Sequence, residues 1–585
     1  MSRFSRMHIL TAVLFAVGFL LVFRLYFIQV LSHAKWKEMA EDQHSAFQRL
    51  VANRGEIFMH DSDALYPLAV NREYQMAYAV PKDIDDRDHV AIELSQALGM
   101  DIQSILEKLN RPDDPFEIIK KRLSDDETTR IRDLGIKGIA LMPEEYRYYP
   151  AGELASQVVG FANLDDQESK AGSYGIESSQ DGRLSGMTGQ VKQEKDAGGR
   201  WIPLSDRSII SAQDGDSIIL TLDRVIQYET EKILKDAVDQ YQADRATAII
   251  MEPQTGRILS MASFPQFDPN EYSKVEDYSL FMNPALSMSY EPGSIMKPLT
   301  MAIGLEEKKV SPETEYVDTG SVQVGGFTIH NSENKVYGRS NMYKVLDQSI
   351  NTGVIFVEKL VGNASFGDYV RRFGFGERTG IELPAELSGN VRNLDNVRSD
   401  TQYYTISFGQ GIAVTPIQIV SAYAALANGG QLMRPHIIDA FIHADGTKDQ
   451  VEPEIIRRVV SEDTSQMIGK MLRDVVVNGH GKHADVPGYL VGGKTGTAQV
   501  AKSDGKGYED GVSIGSFAGY APINDPRFAV LVKLDNPKNV EWAESSAAPT
   551  FGKIMAFLLE YAKIRPTETI NATTAASTAA KGESH

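Results

Sequence analysis

From Ile9 to Leu31 the chain is apolar except at Thr11, Arg24 and Gln29. A run of about 23 residues suffices to span a bilayer as a tilted helix. Beyond it, Lys35 to Arg49 is polar with helical character and reads as a stalk, after which the apolar positions come in short periodic blocks. Leu68 to Val80 suggests strand, reached from Arg54–Phe58 through a turn at Asp61-Ser62-Asp63, and Val90–Leu98 and Ile102–Leu109 suggest helices. Past a boundary near Asp214-Gly215-Asp216, the strand Ser217–Leu222 is followed by an amphipathic helix over Val225–Tyr241. Strands Ala246–Met251 and Arg257–Ala262 follow, joined by a hairpin signal at Pro253-Gln254-Thr255-Gly256. Two further strands, Phe517–Ala521 and Phe528–Leu534, and a closing helix, Phe551–Tyr561, lie near the end. Strands from both ends of this half around a helical middle predict an α+β fold in which one antiparallel sheet is covered by helices. Beyond Pro566 the tail is Thr, Ala and Ser without an apolar face, and is expected to be disordered.

Composition narrows the function. A chain of 585 residues exceeds one ordinary core, so two or more domains are expected. It has no cysteine, which excludes disulfides, thiolate catalysis and thiolate zinc sites. The net charge of −19 disfavours nucleic-acid binding. Nothing in the motifs calls for a metal or other cofactor. Arg3 and Arg6 precede the apolar run with no acidic residue, which keeps residues 1–8 in the cytoplasm and places the rest outside. A cleaved signal peptide is the rival reading, with Ser32-His33-Ala34 as a cleavage site. The apolar run is longer than such a peptide needs, and no helix breaker precedes the site.

The candidate chemistry centres on Glu291-Pro292-Gly293-Ser294-Ile295-Met296-Lys297-Pro298. Pro292 and Gly293 end what precedes, and Pro298 is tolerated only in a first helical turn, so a helix opens close to Ser294. Lys297 follows at i+3, in reach of the Ser294 proton. Serine with lysine three residues on also occurs at Ser32/Lys35, Ser332/Lys335 and Ser503/Lys506. Alone, then, the pair also reads as an N-cap and a solvated lysine. Ser349-Ile350-Asn351 stands at the mouth of another helix, with the apolar face Val354, Ile355, Val357 and Leu360. Lys494-Thr495-Gly496-Thr497 lies in a strand pattern after Gly492-Gly493, where glycines mean that another backbone approaches closely. Ser349 and Asn351 also read as caps, Lys494 as a surface charge, and the threonines as plain strand residues. Jointly, in this order and outside the membrane, the three motifs favour catalysis.

This series of serine–lysine, Ser-x-Asn and Lys-Thr-Gly resembles the penicillin-binding, serine-active beta-lactamase superfamily. The words Glu291-Pro292-Gly293-Ser294, Ser407-Phe408-Gly409-Gln410-Gly411 with Val414-Thr415-Pro416, and Ala424 to Gly430 are similar to class B penicillin-binding proteins. Arg54-Gly55-Glu56-Ile57 and Gly175-Ile176-Glu177 resemble that family's non-catalytic pedestal, or dimerisation domain. Phe373–Gly376, Thr379-Gly380-Ile381 and Leu383-Pro384 lean toward the division branch, often called FtsI. One departure is Asp61-Ser62-Asp63, where family members usually carry Asn-Gly or Asp-Gly, implying a different loop geometry.

The resemblance implies a transmembrane anchor over 9–31, a pedestal over 32–213, a transpeptidase domain over 214–565 with a five-stranded antiparallel sheet, and a tail over 566–585. It implies a D,D-transpeptidase that takes no cofactor. Ser294 would attack the D-Ala-D-Ala donor of a peptidoglycan stem peptide, with Lys297 as base beside Lys494. Ser349 would pass the proton to the leaving amine, and Asn351 would hydrogen-bond Lys297 and substrate. The N–H groups of Ser294 and Thr497 would form the oxyanion hole. Thr495 and Thr497, with Lys494, would hold the substrate carboxylate, and Gly496 would let the substrate strand lie against the sheet. An amine acceptor, beta-lactams, the membrane and a SEDS-family glycan polymerase of FtsW or RodA type are the implied partners. The location would be the cell membrane, single-pass, with the catalytic domain extracytoplasmic. Alternatives are an elongation-type enzyme, a carboxypeptidase or beta-lactamase, and a silent divisome scaffold or beta-lactam sensor.

Overall fold

Arg245–Met251 and Phe528–Asp535 are buried along nearly their whole length, so they must be interior strands. The computed structural model describes residues 6–31, 45–50, 52–111, 114–164, 170–194, 208–501 and 507–567. In it these two strands form the centre of a five-stranded sheet ordered Ile258–Phe264, Arg245–Met251, Phe528–Asp535, Tyr508–Ala521, Gly492–Ala501, with every neighbour antiparallel. Side chains alternate between two cores, as a period of two demands. Val530, Val532 and Leu534 join Leu234, Phe551 and Leu558 under the helices Arg224–Tyr241 and Ala547–Tyr561. Ala529 and Leu531 face the other way, toward Ile419, Met301 and Leu472. The helix Pro416–Ala427 on that side is buried at every position, so it runs through the core, whereas Glu462–Val477 is amphipathic and covers the edge strand. Gly492–Ala501 is thus the edge of the sheet, with its outer side open to the cleft described below.

A second, seven-stranded sheet crosses position 214. Ser217–Asp223 pairs parallel with Ile57–Asp61 and antiparallel with Ile438–Ile442. Gly55 enters this sheet so close to Asp216 that a Cβ would lie 1.9 Å from its carbonyl oxygen, which only glycine permits. The hairpin from Ile57–Asp61 to Ala64–Ala79 turns on Ser62-Asp63, and Ser62 adopts the positive φ of 56° that the tight turn requires. Compactness divides the chain into residues 1–54 with 185–215, and 55–184 with 216–585. The first unit holds the helix Arg6–Tyr26, its π-helical continuation Phe27–Leu31, and a small sheet of Ser45–Leu50, Gly189–Glu194 and Ser208–Ile210. This corrects the helical stalk expected over Lys35–Arg49. Residues 45–49 are a strand because they pair in register with 190–194, and a polar segment yields its local helical preference to such a partner. Residues 32–44 of the stalk, and the tail from 568, lie outside the described residues.

Among the described residues no helix is long and apolar enough to cross a membrane. The side chains of Ile9, Ile28 and Leu31, which complete the span expected from the sequence, lie outside the described residues. Those described from Leu10 to Phe27 are all exposed.

Within the larger unit, the 55–184 segment is locked to the second half by buried polar and aromatic contacts. Tyr149 N–H donates to Asn270 Oδ1 at 3.0 Å, and Asn270 Nδ2 returns a bond to the Tyr149 carbonyl at 2.9 Å. Phe161 stacks on Tyr272 with centroids 4.4 Å apart, and meets Phe281 edge-on. Behind this contact Arg147 Nε donates to Glu177 Oε1 at 2.6 Å, both side chains almost fully buried, which accounts for the glutamate of Gly175-Ile176-Glu177. Removing one partner of such a pair strands a buried charge. Glu177→Ala is expected to cost about 3 kcal/mol. Chemical denaturation followed by tryptophan fluorescence checks this; a loss below about 1 kcal/mol would show that the pair behaves as if exposed.

Candidate active site

Gly293–Met296 forms a 3-10 turn that runs directly into the α-helix Lys297–Glu306, with Pro298 in its first turn where no N–H is needed. Ser294 therefore sits inside the turn, one residue past Gly293, rather than capping it. Gly293 has a φ of +58°, and its N–H donates to the Gly409 carbonyl at 3.0 Å. Gly409 backs so tightly onto this turn that a Cβ would lie 2.1 Å from the Gly293 carbonyl oxygen. The motif Ser407–Gly411 is thus a brace for the serine. Thr300 Oγ1 donates to the Ser407 carbonyl at 2.7 Å. The Gly411 N–H and the Tyr508 hydroxyl both donate to the Glu291 carboxylate, at 2.8 and 3.0 Å. Burial pushes the Glu291 carboxyl up, against these two hydrogen bonds. From below, the buried Tyr423 hydroxyl donates to the Ile295 carbonyl at 2.8 Å.

Lys297 is 1% exposed. Its Nζ donates to the Ser349 carbonyl oxygen and, at 3.1 Å, to Ser349 Oγ. Burial, and then the charge of Lys494, hold this ammonium well below the ordinary lysine range. Ser294 and Lys297 line one cleft of about 1150 Å³, yet among the described residues the Ser294 hydroxyl makes no hydrogen bond, and the lysine's bonds go to Ser349. Ser349 stands just before the helix Asn351–Val361, in a left-handed conformation with φ of 53°. That conformation costs a non-glycine residue about 1–2 kcal/mol and lets its carbonyl and hydroxyl meet one ammonium. Asn351 is placed differently from expectation. Its Nδ2 donates to the His330 carbonyl at 2.9 Å, and the expected bond to Lys297 is absent among the described residues because Ser349 has taken that position.

Lys494, Thr495, Gly496 and Thr497 pair with Ala518, Phe517, Ser516 and Gly515. Thr495 and Thr497 line the cleft with Ser349 and Asn351, while Lys494 is fully buried beneath it and donates to Thr495 O and Oγ1 at 3.3 and 3.2 Å. Burial lowers Lys494 to about 8, opposed by Asp347 and Glu544. Asp347 is itself pushed up to about 8 by burial and by a hydrogen bond to Asp474. The Thr497 hydroxyl accepts from Ala543 N–H at 3.1 Å. Gly496 has a role the sequence did not disclose. A Cβ there would lie 2.8 Å from Ser516 Oγ, 2.9 Å from the Pro292 carbonyl and 3.0 Å from Ile295 Cγ2, so the space is needed by the protein's own serine turn. Of the lookalikes, Ser332/Lys335 lies in a 3-10 turn on the cleft rim, and Ser32/Lys35 and Ser503/Lys506 lie outside the described residues.

A serine hydroxyl at a helix mouth, a desolvated lysine one turn on, a second hydroxyl on that lysine and an open strand edge make an arrangement suited to acyl transfer. Glu291 opened a motif without a role of its own, and Tyr423 and Asp347, which also support the site, carried none. Only adjacency to Pro292 and to Ser349 could have singled out two of them.

Comparison with known proteins agrees with this arrangement. Residues 246–556 match the penicillin binding protein transpeptidase domain, and residues 49–220 the penicillin-binding protein dimerisation domain. The chain is 33% identical over 569 residues to stage V sporulation protein D of Bacillus subtilis (strain 168), covering 96% of this chain and 86% of that protein. It is 29% identical over 563 residues to peptidoglycan D,D-transpeptidase FtsI of Escherichia coli (strain K12), covering 95% and 91%. The solved structure of penicillin-binding protein 3 from Mycobacterium tuberculosis, complexed with aztreonam, superposes with a TM-score of 0.69 at 28% identity, covering 89% of this chain and 99% of that one. With a serine–lysine cleft at a sheet edge and both domains matched along nearly the whole length, the chain belongs to the class B penicillin-binding proteins.

Proposed function

We propose that this protein is a peptidoglycan D,D-transpeptidase that cross-links stem peptides through an acyl-enzyme on Ser294. The observation that carries the reading is Lys297, buried and held by Ser349 in the cleft that Ser294 lines, with burial and the charge of Lys494 disfavouring its ammonium form. Neutral Lys297 takes the Ser294 proton as Oγ attacks the penultimate D-alanine carbonyl. Ser349, already hydrogen-bonded to Lys297, passes that proton to the leaving D-alanine amine. The N–H groups of Ser294 and Thr497 stabilise the oxyanion, a feature worth about 3–4 kcal/mol per donor. The hydroxyls of Thr495 and Thr497 meet the terminal carboxylate, with the Lys494 charge behind them. Asn351, at the cleft wall, contacts the substrate backbone. Beta-lactams enter as substrate mimics, in keeping with the aztreonam complex of the solved relative.

The finer assignments belong to the same proposal. Residues 9–31 form a single membrane anchor with 1–8 in the cytoplasm, supported by the apolar run and by Arg3 and Arg6. Residues 32–213 act as pedestal and 214–565 as catalytic domain, in an extracytoplasmic location. The work is septal wall synthesis, supported by the likeness to FtsI of Escherichia coli. A SEDS-family glycan polymerase is the partner, contacted through the anchor and pedestal, because the chain carries no glycosyltransferase motif of its own.

Ser294→Ala is expected to abolish covalent labelling by fluorescent penicillin while the thermal unfolding profile stays in place; equal labelling would remove Ser294 as nucleophile. With donor and acceptor stem peptides the product is a cross-linked dimer, and free tetrapeptide alone would identify a carboxypeptidase. The two lysines predict a bell-shaped profile for acylation. The rate rises with pH as Lys297 loses its proton, and the KM for a carboxylate-bearing donor rises above about pH 8 as Lys494 loses its own. An amidated donor should lack that alkaline limb. Gly496→Ala is expected to lower penicillin acylation about 100-fold by pushing on the Pro292–Ile295 turn, read as the second-order acylation rate; a change under threefold would show that the turn yields freely.

A further inference from the structure

One ionisable pair in the cleft has no proton-transfer step in the acylation above. His480 Nδ1 lies 2.9 Å from Glu544 Oε2, and both line the cleft with Ser294, Ser349 and Thr497. Their side chains are 39% and 34% exposed, so they face solvent and whatever fills the cleft. The pair is fastened to both walls. His480 N–H donates to the Asp347 carbonyl at 3.2 Å, two residues before Ser349. Gly479 beside it packs so tightly that a Cβ would lie 2.6 Å from that same carbonyl oxygen. Glu544 belongs to the short turn Ala543–Ser545, whose first N–H donates to Thr497 Oγ1 at 3.1 Å. Backbone contacts therefore tie the histidine's segment to the one that leads to Ser349, and the glutamate's turn to Thr497.

With a carboxylate on Nδ1, the neutral ring keeps its proton there and offers Nε2 as an acceptor. The acidic groups around the pair suit an arriving cation. Glu544 is in contact, and Glu333, within range of the ring's charge, stands on the cleft rim paired with Lys335 at 2.6 Å. Lys494, beneath the cleft, feels both Glu544 and Asp347. Glu541 and Glu509 add negative charge at the rim against Lys538. The second half of a transpeptidation needs such a place. An aliphatic amine, with a reference pKa of about 10.4, arrives as ammonium and cannot attack until it has lost a proton.

Resting on the transpeptidase reading, we propose that His480, held by Glu544, removes the first proton from the acceptor ammonium. The resulting amine lone pair attacks the Ser294 ester carbonyl, forming the C–N bond as the C–Oγ bond breaks. Neutral Lys297 takes the second nitrogen proton and returns it to Ser294 Oγ. Of the three protons on the ammonium nitrogen, one remains in the new amide, one is on Ser294 and one is on His480, which releases it to solvent.

The test uses the full-length protein in detergent, acylated by a stem-peptide donor in the presence of an amine acceptor, with transfer and hydrolysis products quantified from the same acyl-enzyme between about pH 5 and 9. His480→Asn keeps a donor for Glu544 but has no acceptor in place of Nε2; Glu544→Gln keeps the shape and removes the charge. Penicillin labelling of each variant reports that the Ser294 site is assembled. Both variants are expected to lose at least about tenfold in the transfer-to-hydrolysis ratio, with partial rescue of His480→Asn by added imidazole. A ratio and profile within twofold of the parent overturn the proposal and leave the transpeptidase reading standing. Hydrolysis as the sole product of the parent protein overturns both.

Discussion

Two lysine side chains, Lys297 and Lys494, are buried in one small region, and most of the surrounding structure follows from tolerating them. Desolvation disfavours each ammonium, and the charge of Lys494 disfavours that of Lys297 further. The fold supplies only partial relief. Lys297 receives one serine's carbonyl and hydroxyl, and Lys494 receives the neighbouring Thr495 and the distant pull of Asp347 and Glu544. Full compensation by a carboxylate in contact with Lys297 would restore its charge and remove its use as a base. The left-handed backbone at Ser349 serves this balance, because it brings carbonyl and hydroxyl to one ammonium.

The second requirement is closeness of backbones. Ser294 must stand beside the outer strand of the sheet, and three glycines, Gly293, Gly409 and Gly496, occupy the points where chains touch. None of these contacts leaves room for a methyl group without displacement. Tyr423 and Glu291 then pin the same turn from below and from the side. Rigidity continues outward. The five-stranded sheet is packed on both faces, and the seven-stranded sheet joins Ile57–Asp61 to Ser217–Asp223, so residues 55–184 are part of the same compact body as the cleft. Paired hydrogen bonds and stacked rings join that segment to the loops that precede Ser294.

Much of the fold was legible because period and punctuation survive in one dimension. Mostly apolar runs at 246–251 and 528–534, broken only by Thr247 and Lys533, became the central strands, and Pro298 marked the helix at Ser294. The helical reading of Lys35–Arg49 failed over 45–49 because a strand's partner, here residues 190–194, lies far away in sequence. Likewise the sequence separated two halves at 214, whereas parallel pairing across that point depends on residues some 160 positions apart.

At the site, the sequence by itself determined which atoms could react. A serine and lysine one turn apart, a second serine before a helix and a lysine on a glycine-flanked strand are local patterns, and local sterics place them at helix mouths and in a strand. What only the tertiary structure decided is which groups meet. Lys297 bonds Ser349 rather than Ser294 or Asn351, Gly496 makes room for Pro292 rather than for substrate alone, and His480 finds Glu544 from 64 residues away. Each of these depends on a distance between segments that packing sets, and side-chain chemistry along the chain carries no record of that distance.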